Sequence, residues 1–274
     1  MGNKLAMVTT RSRKKSKRRS NKKRSYKIKD VPLSKHMSEG SRASLGSINY
    51  HYQKYYNTFA FLKEILKSDP SLSKMVCIPD VGEGWMQSFL KVHFFKSTKA
   101  GVFLDSVKPV DPMDSKETFV EEIQRCMSHR FIPISLEIIV PRVGTHANVL
   151  LIDSKLNTVE LFEPHGGRNS DSELESISRA YYKINKNIKR FFKQYFPRLK
   201  FISPSTYEPT EGLQARLDAF SGLCVTWSIM YLHYRILNPD VSPKKLIEYM
   251  EHRVTRPFLL KYTKYVEDTL KHKH

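Results

Sequence analysis

The chain has 274 residues, 40% of them hydrophobic, with 15 Phe and 14 Tyr, enough apolar material for one large cored domain or two small ones. No run approaches the roughly 18 apolar residues of a membrane span, and no apolar segment near the start suits a secretory signal. The net charge is +20, but residues 1–30 hold 13 Lys or Arg against one acid, Asp30, so +12 belongs to the start and +8 to the rest.

Residues 1–35 are built around Arg11–Arg24, RSRKKSKRRSNKKR. Like charges at that density repel and bury nothing, so a disordered basic tail is expected. Such a tail suits nuclear import or non-specific nucleic-acid binding, since Lys and Arg neutralise phosphates without reading sequence. The opening MGNKLA partly fits a myristoylation signal, with Ala6 where Ser or Thr is wanted. Contact with a membrane surface is therefore a further expectation.

Residues 41–67 read as a helix, with Tyr50, Tyr52, Tyr55, Tyr56, Phe59, Phe61 and Leu62 toward one broad face and Asp69-Pro70 as its stop. The stretch Met75–Pro112 mixes Gly82, Gly84, Trp85 and a Phe-rich piece at Val92–Phe95, and reads as short helices and loops before the core. The composition thus divides the chain into a tail (1–35), a helical and irregular extension (36–112) and a core (113–274).

In the core, Phe131–Val140 (FIPISLEIIV) is rich in β-branched residues and reads as a buried strand. His146–Asp153 is a second strand and Thr158–Phe162 a third, joined by the polar turn Ser154–Asn157 into an antiparallel hairpin. Ser172–Phe196 is a helix with Ser172 and Glu175 as a capping box. Its buried face is Leu174, Ile177, Tyr181, Ile184, Ile188, Phe191 and Tyr195. A short strand at Lys200–Ser203 and a loop with Pro204, Pro209 and Gly212 follow. Helices are then expected at Gly222–Leu237, at Lys244–His252 behind the N-cap pair Ser242-Pro243, and at Pro257–Lys271.

The three cysteines, Cys77, Cys126 and Cys224, show no regular spacing, which argues against a disulfide framework and suits a reducing intracellular compartment. No Cys-x-x-Cys or His-x-x-x-His pair appears, so no metal or other cofactor is expected. Cys224 differs from the other two in position. It falls at the start of a predicted helix, where the positive end of the helix dipole lowers a thiol's pKa and the backbone N–H is free to face an oxyanion. His146 opens one hairpin strand and Glu163 ends the next, 17 residues on, so the turn brings both to the same end. A carboxylate on one imidazole nitrogen leaves the other for a thiol. Gln214, ten residues before Cys224 in a turn-rich loop, is a candidate amide donor to the oxyanion.

The segment HANVLLIDSKLNTVELFEPHG, His146–Gly166, resembles the His/acid hairpin of the clan that unites ubiquitin-like proteases with the adenovirus protease. Its ending Leu161-Phe-Glu-Pro-His-Gly166 is similar to that of the adenovirus-type members. The order His146, Glu163, Gln214, Cys224 is the clan's, and Gly222-Leu-Cys-Val-Thr-Trp-Ser228 resembles members in large DNA viruses. The sequence departs from the clan at Ala147, where Trp is usual, at Val225, where Gly is usual, and in the longer spacing from Gln214 to Cys224. The resemblance covers roughly Phe131–Asn238. It implies an α+β fold, a mixed and mostly antiparallel sheet packed between helices with a papain-like core and an N-terminal helical extension. It further implies a cysteine peptidase with Cys224, His146 and Glu163 as its catalytic set, cleaving after small residues at Gly-Gly-type sites. Maturation of viral precursors, in a virion or viral factory, is then the expected role. The alternatives are a nuclear deconjugating protease, a same-clan acyltransferase and an inactive nucleic-acid-binding scaffold.

Overall fold

The computed structural model describes residues 27–33, 48–49, 52, 57–79, 89–98, 101–109, 116–140, 144–167, 175–218 and 222–271. The elements run α1 (Asn57–Ser68), α2 (Pro70–Ser73), β1 (Phe89–Thr98), β2 (Gly101–Pro109), α3 (Lys116–Cys126), β3 (Phe131–Val140), β4 (Gly144–Asp153), β5 (Thr158–Phe162), α4 (Glu175–Tyr195), β6 (Lys200–Ile202), α5 (Leu213–Asp218), α6 (Cys224–Leu237), α7 (Pro243–Arg253) and α8 (Arg256–Lys271). The strands form one mixed sheet in the order β2-β1-β3-β4-β5-β6. β1 with β3 and β5 with β6 are parallel pairs, and the other three are antiparallel.

Helices cover both faces, the α+β architecture expected from the sequence. On one face Phe119 and Ile123 of α3 and Ile188 and Phe192 of α4 pack on Ile132, Ile134, Leu150, Ile152, Val159 and Leu161. On the other, α1, α6, α7 and α8 pack on Phe131, Ala147, Val149, Leu151 and Phe162. Alternate residues of β3 and β4 thus enter different cores, which is why these strands read as almost unbroken apolar runs. α6 lies between the sheet and the outer helices and is buried from Val225 to Ile236. Buried on all sides, it is largely apolar, and its polar side chains Ser228, Tyr231 and Arg235 bond inside the core.

Several expectations change. Residues 27–33 belong to the folded body, not to a tail. The Lys29 N–H donates to Asn238 Oδ1 (2.7 Å), Asn238 Nδ2 returns a bond to the Lys29 carbonyl (2.9 Å), and Asp30 pairs with Arg253 (2.5 Å). Residues 1–26 lie outside the described residues. Of the helix expected over 41–67, the described residues show α1, Asn57–Ser68, while Tyr50, Tyr55 and Tyr56 lie outside them. Asn49 is not helical, and its N–H is taken by Glu267 Oε1 on α8 (2.7 Å). The helices and loops expected over Met75–Pro112 are in large part the β1–β2 hairpin, which extends the sheet of β3 to β6, so the boundary drawn at 112 runs along a continuous sheet. Gly82, Gly84, Trp85 and Ser172 lie outside the described residues, as do the side chains of Leu174, Ile177, Tyr181 and Ile184.

Cys77 and Cys126 form a disulfide, with Cα atoms 5.4 Å apart. This corrects the reading of unpaired thiols and removes its support for a reducing compartment. The two lie close because both flank the start of β3. Val76 bridges to Phe131, the Cys77 N–H donates to the Phe131 carbonyl, and Cys126 ends α3 just before that strand. Among the described residues Cys224 is the free cysteine.

Candidate active site

The β4–β5 hairpin turns at Ser154–Asn157, with Asn157 at φ +52°, a left-handed position that Asn tolerates. Pairing runs from Asp153 opposite Thr158 to Val149 opposite Phe162. β5 stops there, so residues 144–148 of β4 have no β5 partner. α6 takes that place. Ser228 Oγ donates to the Ala147 carbonyl (3.3 Å), and the Ala147 N–H donates to the Cys224 sulfur. The small side chain of Ala147 packs in the same core as α6.

Cys224 is the first residue of α6, so its N–H has no intrahelical acceptor. Further along the same face, Ser228, Tyr231 and Arg235 follow at helical spacing and fasten the helix to the sheet. Tyr231 stacks on Phe162 (4.3 Å between ring centroids), and its hydroxyl donates to Glu160 Oε2 (2.9 Å). Arg235 donates twice to Glu160 Oε1 (3.0 and 2.7 Å) and once to the Val241 carbonyl (3.1 Å). This buried pair fixes the rotation of α6 that aims Cys224 at β4.

His146 Nε2 lies 2.7 Å from Glu163 Oε1, and the imidazole is also hydrogen-bonded to the Cys224 thiol. With Nε2 on the carboxylate, Nδ1 is the nitrogen left for sulfur. Glu163 is 4% exposed. Burial alone would raise its pKa, but His146, the nearby His165 and the His165 N–H (2.9 Å to Oε1) outweigh that and lower it. Burial likewise opposes charge on His146, yet Glu163 and the Cys224 sulfur push its pKa up to about 10. Burial raises the Cys224 pKa, while the hydrogen bond and charge of His146 and the Ala147 N–H bring it down below the ordinary thiol value. The two shifts run in opposite senses, so each favours the thiolate–imidazolium pair over the neutral one.

After Glu163 the chain makes a tight return. Gly166 has φ +103°, a region open mainly to glycine. A Cβ there would lie 2.3 Å from the Gly212 nitrogen, and one on Gly212 would lie 2.2 Å from the Gly166 nitrogen. The two backbones touch and bond: Gly212 N–H to His165 O (2.8 Å), Gln214 N–H to Pro164 O (2.9 Å) and Gly167 N–H to Pro209 O (2.9 Å). The acid's loop therefore sets the position of Gln214. Gln214 is not in a loop, as expected, but in the first turn of α5, 2% exposed, with its Oε1 unpartnered among the described residues. Among those residues no hydrogen bond joins it to Cys224.

The structure thus brings together Cys224, His146 and Glu163, and ties Gln214 to the loop of the acid. Sequence reasoning missed three neighbours. Asn148 Nδ2 donates to Glu163 Oε2. The His165 ring lies against that of His146, 4.9 Å between centroids. Glu208 Oε1 accepts the Glu163 N–H (3.1 Å), and burial raises its pKa well above the ordinary carboxyl value. Asn148 was detectable, since it sits one strand period after His146 and faces the same side. Among the described residues no cluster suited to a metal is found, and no helix is long and apolar enough to cross a membrane.

No protein-family profile matches the chain. It is 30% identical over 146 residues to putative ankyrin repeat protein L371 of Acanthamoeba polyphaga mimivirus, a match that takes in 47% of the chain and 19% of that protein. The chain thus spans a small fraction of that relative's length. In fold it is similar to ChlaDub1 of Chlamydia trachomatis (TM-score 0.37, 14% identity, 62% of this chain and 72% of that one). It is also similar to the Chlamydia trachomatis effector Cdu1, whose structure was solved bound to ubiquitin (TM-score 0.35, 13% identity, 62% and 74%). At these TM-scores the likenesses add nothing to the geometry of the site.

Proposed function

We propose that the chain is a cysteine peptidase of the ubiquitin-like-protease type, cleaving after small residues at Gly-Gly-type sites. The observation that carries this is the double engagement of His146, with Glu163 on Nε2 and the Cys224 thiol on its other side, at the N-terminus of α6.

In this reading the Cys224 thiolate attacks the scissile carbonyl carbon, and the carbonyl electron pair moves to oxygen. The Cys224 N–H stabilises that oxyanion, with the side-chain amide of Gln214 as second donor. As the tetrahedral intermediate collapses, the C–N bond breaks and His146 gives its proton to the departing amine. The acyl group remains on sulfur as a thioester. Neutral His146 then takes a proton from water, hydroxide adds to the thioester, and the carboxylic product leaves as thiolate and imidazolium are restored. Glu163 holds one imidazole orientation throughout.

Maturation of viral precursor proteins is the role we assign, supported by the shared stretch with a mimivirus protein. Residues 1–26, with 11 Lys or Arg and no acid, suit non-specific retention on nucleic acid inside a particle or viral factory. The test is cleavage of a Gly-Gly-containing protein substrate by the full chain and by Cys224→Ala. The variant is expected to keep its melting temperature and lose all cleavage; cleavage retained in it would sink the assignment.

A further inference from the structure

Side chains on a strand alternate, so Asn148 lies on the same side of β4 as His146, one period further along. It is 1% exposed. Its Nδ2 donates to Glu163 Oε2, with the Phe162 carbonyl at the limit of reach (3.4 Å). Glu163 therefore uses its two oxygens differently. Oε1 takes His146 Nε2 and the His165 N–H, while Oε2 takes Asn148. Without the Asn148 donor the carboxylate would be held through Oε1 alone. Asn148 Oδ1 is buried and unpartnered among the described residues. Leaving a buried amide oxygen unmatched costs stability, so the amide is held in the orientation that serves Glu163 and not its own full bonding.

We propose that Asn148 is a positioning residue of the site, clamping Glu163 in the rotamer and the ionised state that keep His146 charged and turned toward Cys224. This rests on the peptidase reading above. The charged or titratable groups facing the cluster from the surrounding elements are Cys224 from α6 and His165 and Glu208 from the loops beside β5.

The test uses the full chain with its disulfide intact, so that Cys224 is the reactive thiol. The rate of Cys224 alkylation by iodoacetamide is followed against pH. In the wild type a second rise is expected near pH 10, as the imidazolium loses its proton. Asn148→Ala and the similarly sized Asn148→Leu both remove the donor, and both are expected to move that rise about one unit toward neutrality and to lower cleavage about ten- to a hundredfold, the scale of one hydrogen bond to a charge. Asn148→Ser, which keeps a donor, is expected to recover part of both. Asn148→Leu with a wild-type alkylation profile overturns the proposal, because packing alone would then explain the residue. If Asn148→Leu melts early, Asn148→Ser decides: a profile no closer to wild type than that of Asn148→Ala also overturns it. A shifted profile in a protein that cleaves no peptide supports the clamp and refutes the peptidase reading, so the two failures are distinguishable.

Discussion

Replacing Glu163 by Gln removes one charge from the site and little else. Gln Oε1 still accepts from His146 Nε2 and from the His165 N–H. The new NH2 faces Asn148, whose unpartnered Oδ1 turns toward it by a flip of the amide. The imidazole therefore keeps its tautomer and its place. What it loses is the carboxylate at 2.7 Å. For charge centres about 4 Å apart at an effective dielectric of about 20, that attraction is about 4 kcal/mol, or about three pH units of imidazole ionisation. The amide dipole retains part of it, which leaves a loss of about two units. The sign follows from the active form, thiolate with imidazolium. Activity appears as Cys224 deprotonates, below the ordinary thiol range, and disappears as His146 deprotonates near pH 10. In Glu163→Gln the alkaline limb of kcat/KM should move to about pH 8, with kcat/KM at its optimum down ten- to a hundredfold. The assay is a pH–rate profile on a Gly-Gly substrate, with circular dichroism to check the fold. An alkaline limb that stays in place in a folded variant would refute the assignment of Glu163 as the source of the imidazolium.

Gly166→Ala forces a side chain into a glycine-only conformation and onto the Gly212 backbone, so we expect a loss of about 2 kcal/mol or more in chemical denaturation and a fall in kcat. A neutral Gly166→Ala would mean that the two loops are not locked together. Glu160→Gln removes the charge that pairs with the buried Arg235 guanidinium, leaving Asp153 (3.9 Å) as its nearest carboxylate among the described residues, and should cost about 3 kcal/mol in urea unfolding. A cost under about 1 kcal/mol would show that Arg235 does not depend on Glu160. Deleting residues 1–26 should weaken DNA binding and flatten its salt dependence while leaving peptide cleavage unchanged; an unaltered salt slope removes the tail from the binding account.

The hairpin that carries His146 and Glu163 was legible because its signals are local. β3, β4 and β5 alternate or run apolar over five to ten residues, the turn is polar, and His146 and Glu163 sit at strand ends where counting places them side by side. Cys224 was legible from the helix start. The β1–β2 hairpin was not, because Phe89–Pro109 mixes Lys and Ser with its aromatics and pairs with β3 only through tertiary contact. The Cys77–Cys126 pair spans 49 residues with no spacing rule and depends on where β3 begins. Gln214 was assigned to a loop because the six residues of α5 are too short to show a period, and because its anchor, the Pro164 carbonyl, is 50 residues away. The fastening of α6 had a signal that went unused. Cys224, Ser228, Tyr231 and Arg235 are spaced four, three and four apart in a helix otherwise too apolar to face water.

The central claim is that Cys224 is the nucleophile. The direct measurement is to incubate the full chain with a thiol-reactive probe ending in Gly-Gly, with and without a ubiquitin-like body, and to map the adduct by peptide mass spectrometry. The geometry of His146, Glu163 and α6 predicts a single adduct on Cys224, lost in His146→Ala. Modification of Cys77 or Cys126 instead, or labelling of Cys224 that His146→Ala leaves unchanged, would contradict it.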